Sequence, residues 1–181
     1  MRLIIPLLIV LSSCSGKIYT TIQSLPAIAS SQSLPDSSNT IVLVFLDVDC
    51  PISQYVIKPL NALQTEYKDQ IEVIGIVPGT YYTNQELQDF ATEFDVQFSS
   101  LIDPNLKLVK RLDAHITPEV FVLDRRGRIL YQGAVDDKYL DLGKSKPLPN
   151  QSYLDEALCE FIDGNVIRNP KTEAIGCIIE R

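Results

Sequence analysis

The sequence predicts an α/β domain: a central mixed β-sheet flanked by helices on both faces. Three observations carry this. A continuous apolar run, Ile41 to Leu46, is followed by a stretch whose apolar residues recur every three or four positions from Ile52 to Tyr67. A second apolar run, Ile71 to Val77, is again followed by a helical pattern. Then come two extended segments joined by Arg126-Gly127, and a last helix. Strands separated by helices pair parallel, a hairpin pairs antiparallel, and the sum is a mixed sheet with helices packed on it.

The elements follow in order. Ile41 to Leu46 is β-branched and aromatic without alternation, as in a strand buried on both faces. Pro51 suits the first position of the next helix, where a missing N–H costs nothing, and Ile52, Tyr55, Val56, Leu60, Leu63 and Tyr67 form its stripe. After the strand Ile71 to Val77, Pro78-Gly79 turns the chain. Thr83 and Glu86 form a capping box for a helix from about Asn84 to Phe94, with Leu87, Phe90, Ala91 and Phe94 facing inward. Phe98 to Leu101 is a short extended piece, and Asp103-Pro104 begins a helix to about Leu112. Val120 to Leu123 is a third core strand, and Arg128 to Gly133 is its hairpin partner. Asp136 to Pro149 reads as a polar loop. Ser152 caps a helix from about Tyr153 to Ile162, which Gly164 stops.

The chain has 181 residues, enough for one domain with a sizeable core. Its net charge of -7 argues against a nucleic-acid partner, which needs a basic face. Four cysteines are too few for a disulfide scaffold of this length, so each is read by itself.

Met1-Arg2 and the apolar LIIPLLIVL read as a signal sequence, too short to span a bilayer. Leu11-Ser12-Ser13-Cys14 resembles the bacterial lipobox. The resemblance implies cleavage after residue 13, a diacylglycerol on Cys14 and a lipid-anchored, exported protein. Ser15 is not the acidic residue tied to inner-membrane retention, which by analogy points to the outer membrane facing the periplasm. The other reading is an ordinary signal peptide with an incidental Cys. Residues 14–39, with SSQSLPDSSN, then form a flexible tether. The folded domain spans 40–181.

Cys50 stands where the first strand hands over to a helix N-terminus. The orphan N–H groups and the helix dipole there favour a thiolate, the species that attacks disulfides and peroxides. That role requires an exposed sulfur with a lowered pKa. Asp47 and Asp49 act in the opposite sense, because carboxylates disfavour a neighbouring thiolate. The bland alternative is a buried structural Cys. Cys50-Pro51-Ile52-Ser53 lacks the second cysteine of a Cys-x-x-Cys pair. Ser53 can bond the sulfur or a backbone N–H, but it cannot resolve a mixed disulfide.

Strand, Cys-Pro and helix, with the words DCPIS and ITPEVFVLDRRGRILYQGAVDD, resemble the redoxin branch of the thioredoxin fold. That branch includes the alkyl hydroperoxide reductase/thiol-specific antioxidant (AhpC/TSA) proteins and membrane-tethered thiol-disulfide oxidoreductases. The likeness runs from about Asn39 to Cys177. It implies that FSSLIDPNLKLVKRL is an insertion in a thioredoxin core. It also implies that Thr117-Pro118 is the loop whose cis-proline faces the catalytic Cys, with the backbone of residue 117 pairing with an extended substrate. An ordinary strand-entry proline is the alternative. The ending from Thr172 to Cys177, Thr-x-x-x-Gly-Cys, is similar to one found in redoxin-domain proteins with the same Cys-Pro-Ile-Ser motif, which makes Cys177 the candidate resolving thiol. A Cys50–Cys177 bridge would close a loop of about 127 residues and add about 5 kcal/mol by chain entropy. Otherwise Cys177 is only a tail thiol.

Cys159, beside the stripe of Leu154, Leu158, Phe161 and Ile162, reads as a small apolar filler. His115, the only histidine, reads as a surface residue. Asp136 and Asp137 are adjacent loop acids without calcium-loop spacing, read as solvated. No metal or other cofactor is expected. Three functions compete. The first is an envelope-tethered thiol-disulfide oxidoreductase acting on protein thiols or disulfides through Cys50 and Cys177. The second is a peroxiredoxin-type peroxidase acting on peroxide. The third is a non-catalytic binding module. Peroxiredoxins carry Pro-x-x-x-Thr/Ser-x-x-Cys. Here Leu43 and Asp47 stand at the first two key places, so the first function is preferred.

Overall fold

The structure, a computed structural model, describes residues 40–181. The signal segment, Cys14 and the tether lie outside the described residues. The elements are β1 (Thr40–Phe45), α1 (Pro51–Glu66), β2 (Ile71–Pro78), α2 (Asn84–Glu93), β3 (Ser99–Asp103), α3 (Lys107–Leu112), β4 (Ile116–Thr117), β5 (Glu119–Leu123), β6 (Ile129–Gly133), β7 (Tyr139–Asp141), β8 (Lys144–Ser145), α4 (Tyr153–Ile162) and β9 (Cys177–Ile178). A five-stranded sheet runs in the order β3-β2-β1-β5-β6. The β1–β2 and β2–β3 pairs are parallel, and β1–β5 and β5–β6 are antiparallel. The mixed sheet expected from the sequence is therefore present.

Alternation along β1 divides the core in two. Val42, Val44 and Leu46 face one side, with Val56 and Leu60 of α1, Leu87 and Phe90 of α2, and Leu154 and Leu158 of α4. Leu43 and Phe45 face the other side, with Phe121, with Leu108, Val109 and Leu112 of α3, and with Ile179 beyond β9. Phe45 and Phe121 meet edge to face, with ring centroids 5.7 Å apart. The central strand is buried along its whole length because both faces are covered. That is why it carries no polar alternation.

Several boundaries follow from bonds the sequence pattern does not display. The extended piece near Phe98 is a full edge strand, β3, paired with β2 from Ser99 to Asp103. The helix expected to open at Asp103 begins at Lys107. The Asp103 carboxylate accepts from the backbone N–H groups of Lys107 (2.8 Å), Leu108 (2.7 Å) and Val109 (3.1 Å). It thus caps three orphan donors from four residues upstream of the first helical residue. The capping box of α2 is present, whereas Ser152 before α4 makes no side-chain cap bond. Gly164, at φ +77, ends α4 in the left-handed conformation.

The segment read as a polar loop, residues 136–149, contains the β7–β8 hairpin. Its acids are not simply solvated. Asp137 is buried, pairs with Lys146 and accepts from the N–H groups of Asn150 (2.7 Å) and Gln151 (3.1 Å). Asp136 accepts from the Tyr55 hydroxyl at 2.8 Å and the Lys138 N–H at 3.0 Å. Cys159 is exposed instead of filling the core. It lies one position past the buried Leu158, a rotation of about 100° off the inward stripe. Its thiol approaches Asp163 at 3.8 Å, and that carboxylate pushes its pKa up.

Replacing Asp103 by Ala removes three charge-assisted bonds from a buried position. The expected loss is about 2 kcal/mol. It is read as a lower denaturant midpoint at unchanged slope, and a midpoint within error of the parent contradicts the capping role.

Candidate functional site

The strand β1 and helix α1 deliver Cys50 to the top of the sheet. Cys50 is the N-cap of α1, in extended conformation, and Pro51 follows at the first helical position. Its carbonyl accepts from Gln54 N–H at 3.0 Å, and its own N–H turns back to the Asp47 carbonyl at 3.2 Å. Ser53 is fully buried. Its hydroxyl accepts from the Asp47 N–H at 3.2 Å, not from the Cys50 sulfur. Of the two roles open to it, Ser53 takes the one that fixes the loop leading into Cys50.

The Thr117–Pro118 peptide bond is cis. It brings the Thr117 carbonyl to 3.4 Å from the Cys50 sulfur, which donates to it. Thr117 and Pro118 are therefore at Cys50, although 67 positions away in sequence. The backbone of Thr117 also pairs with a strand, which is the chain's own tail. In β4–β9, Ile116 opposes Ile178 and Thr117 opposes Cys177. The Thr117 hydroxyl donates to the Cys177 carbonyl at 3.3 Å.

This pairing puts the two sulfurs together. Cys177 Sγ lies 3.0 Å from Cys50 Sγ, with Cys177 as donor. Both thiols are free, and Cys177 is half-buried. Burial, the hydrogen bond to Cys50 and the nearby charges of Cys50 and Asp47 push the Cys177 thiol well above its ordinary pKa. The expectation that Cys50 is exposed does not hold: the residue is 2% exposed. Its sulfur meets the cis-proline loop at the Thr117 carbonyl and the tail at Cys177, and Cys177 is the less buried residue of the pair.

The tail is held at both ends. Thr172 bonds the Tyr131 hydroxyl at 2.6 Å and accepts from Ala134 N–H at 3.0 Å, and its N–H donates to the Gln132 carbonyl. At the far end Arg181 meets Asp113 at 3.1 Å and the His115 ring at 3.0 Å. His115 is on the surface, as the sequence suggests, and serves this end anchor. Cys159 is exposed on α4 and bonds Asp163, so it takes no part in the pair.

A cleft of about 490 Å³ is lined by residues next to the two cysteines in sequence, Asp49 and Ile178, together with Asp47, Tyr82, Thr117 and Glu180; neither cysteine lines it. Tyr82 donates to Asp47 (2.8 Å) and lies 3.1 Å from Asp49. Burial, and then those carboxylates, push its phenol well above the ordinary range. Tyr81 reaches Glu180 at 3.2 Å. Sequence reasoning missed Tyr82, which belongs to no motif; only the Pro78-Gly79 turn hinted that the residues after β2 fold back over Asp47. Thr172 stands in the Thr-x-x-x-Gly-Cys ending, but its bonds to Tyr131 and Ala134 are not visible there. Among the described residues no cluster of three or more metal-ligating side chains occurs, and no helix is long and apolar enough to cross a membrane.

The family model of the AhpC/TSA family matches residues 24–132. The chain belongs to the AhpC/TSA family. The match stops before the tail, so Cys177 lies outside it. No curated protein matches the sequence. Among solved structures, an uncharacterized conserved protein from Geobacillus kaustophilus is 22% identical. It superposes at a TM-score of 0.71 over 83% of this chain and 79% of that one. A thioredoxin-like protein solved in its oxidized form is 13% identical, with a TM-score of 0.54 over 71% and 80% of the two chains. A secreted disulfide oxidoreductase from Mycobacterium tuberculosis is 15% identical, with a TM-score of 0.50 over 68% and 82%. These likenesses establish the thioredoxin-like fold.

Removing the Asp47 charge takes away one of the causes that hold the Cys177 thiol protonated. In Asp47→Asn the pH midpoint for alkylation of Cys177, followed by peptide mapping, is expected to move down. A midpoint that stays or rises contradicts the assigned cause.

Proposed function

We propose that this protein is an envelope-tethered thiol-disulfide oxidoreductase whose working pair is Cys50 and Cys177. The observation that carries the reading is the 3.0 Å separation of the two sulfurs across 127 positions of sequence. A disulfide needs about 2.05 Å between sulfurs, so an approach of about 1 Å closes the bond. In the forward direction the Cys50 thiolate attacks a partner disulfide, giving a mixed disulfide and releasing one partner thiol. The Cys177 thiol, giving up its proton, then attacks Cys50. It forms the Cys50–Cys177 bridge and releases the second partner thiol. Two electrons and two protons pass from the protein dithiol to the partner disulfide, and the reverse sequence oxidises a partner dithiol.

Ser53 positions the loop, and the Thr117–Pro118 backbone holds Cys50 and Cys177 in line. The secreted disulfide oxidoreductase with the same fold supports this reading, as does the lipobox-like Leu11-Ser12-Ser13-Cys14. The lipid anchor at Cys14, the tether over residues 14–39 and a periplasm-facing location belong to the proposal. Against a peroxidase, the place of the usual peroxiredoxin proline is Leu43, buried in the core, and the place of the usual Thr/Ser is Asp47.

Exposure of the reduced protein to a disulfide oxidant, then alkylation and mass spectrometry, is expected to give a Cys50–Cys177 linkage that dithiothreitol reverses. Cys50→Ser and Cys177→Ser are each expected to lower catalysed disulfide exchange by about a hundredfold. A sulfenic acid on Cys50 after peroxide, with no bridge, would instead support the peroxidase. A Cys50 inert to all reagents would leave the binding module.

A further inference from the structure

The tail occupies a strand-docking edge, and its fit indicates what else could dock there. β4 is only two residues long, and in the structure its partner is β9. The pairing is extended at Ile179, whose N–H donates to the His115 carbonyl at 2.9 Å. Gly176 is buried against this edge. A Cβ added there would overlap the carbonyl oxygen of Thr117, a backbone atom that cannot turn aside, and would crowd the Ile116 side chain. The residue before the paired cysteine must therefore be glycine for the strand to lie down. Ile178, immediately after it, points outward and is 80% exposed, so the following position is open to other side chains. With the tail in place Cys50 is closed off, so an extended partner reaches it only by taking the tail's place.

We propose that residues 171–181 are a tethered stand-in for the partner strand, and that this edge accepts extended polypeptides presenting a Gly-Cys pair. The proposal rests on the function given above and names its substrate class. Partner and tail compete for Ile116–Thr117. The partner strand pairs there by β-addition, its cysteine sulfur coming to Cys50 as that of Cys177 does now. When the tail re-pairs, it carries the Cys177 thiol back to Cys50. The Cys50–partner bond breaks, the Cys50–Cys177 bond forms, and the partner leaves as a thiol bearing the proton from Cys177. Resolution is then a strand displacement.

The test uses the full chain in a Cys159→Ser background, so that the exposed thiol does not compete. One protein carries Cys177→Ser, and a second adds Gly176→Val to expel the tail. Two probes are decapeptides with the sequence of residues 172–181, their cysteine activated as a 2-thiopyridyl disulfide. One has the native Gly before Cys and the other has Ala. Attack by Cys50 forms the Cys50–peptide disulfide and releases thiopyridone, and peptide mapping locates the bond. A third probe, thiopyridyl-activated cysteamine, reports whether Cys50 reacts at all.

The Gly peptide is expected to react with the tail-expelled protein about tenfold faster than with the tail-retaining one. It should also react about tenfold faster than the Ala peptide, roughly the value of one lost ladder interaction. Should Gly176→Val prevent folding, Thr172→Val loosens the tail at Tyr131 and Ala134 and is expected to give the same order. Equal rates for the Gly and Ala peptides, with cysteamine reacting normally, overturn the proposal alone. A Cys50 inert to cysteamine overturns the function beneath it as well.

Discussion

The site depends on one short pairing: two residues of the tail laid antiparallel on Ile116 and Thr117 beside a cis-proline. Strand pairing fixes register, and register fixes which side chain faces which. With Thr117 opposite Cys177, the tail sulfur arrives at Cys50. A slip of one residue would turn it to the other face. The bond from Thr117 Oγ1 to the Cys177 carbonyl, the close seat of Gly176 and the anchors at Thr172 and Arg181 all hold this register. None of them touches the sulfurs.

The rest of the domain is a frame for that contact. The sheet core, covered on both faces, sets the end of β1, and Ser53 and Asp47 set the turn from β1 to Cys50. Glu119, also buried, ties the two sides of the cis-proline loop. It accepts from His115 N–H at 2.9 Å and from the Gln132 side chain at 2.9 Å. Gln132 in turn leads to the tail, since its carbonyl accepts from Thr172 N–H. The loop that faces Cys50 and the strand that supplies Cys177 are thus joined through β6. The pair is asymmetric: Cys50 is buried as the N-cap of α1, whereas Cys177 is half-buried in a place that pushes its thiol pKa up.

Local patterns made much of this legible in the sequence. The β1–α1 handover, the capping box at Thr83 and the hairpin at Gly127 are short-range signals, and each is where the sequence places it. The resemblance of Thr117-Pro118 and Gly176-Cys177 to redoxin patterns pointed to loops that do meet at Cys50. What was not legible is long-range or rotational. The buried Cys50 sulfur meets partners 67 and 127 positions away, so no window around residue 50 reveals them. Cys159 misses the core by one step of helix rotation. The late start of α3 is set by a carboxylate that reaches forward, and Asp137 is buried because Lys146 and two N–H groups meet it. In composition that last segment looks like any polar loop.

The central claim is that Cys50 and Cys177 act as one two-electron unit. It is tested most directly by equilibrating the full chain across a series of reduced and oxidised dithiothreitol ratios, then alkylating and quantifying both cysteine peptides. The account predicts that the two peptides lose and regain label together, on a single two-electron curve, while Cys159 stays labelled throughout. Separate curves, or a Cys50 that remains fully alkylated when Cys177 does not, would contradict it.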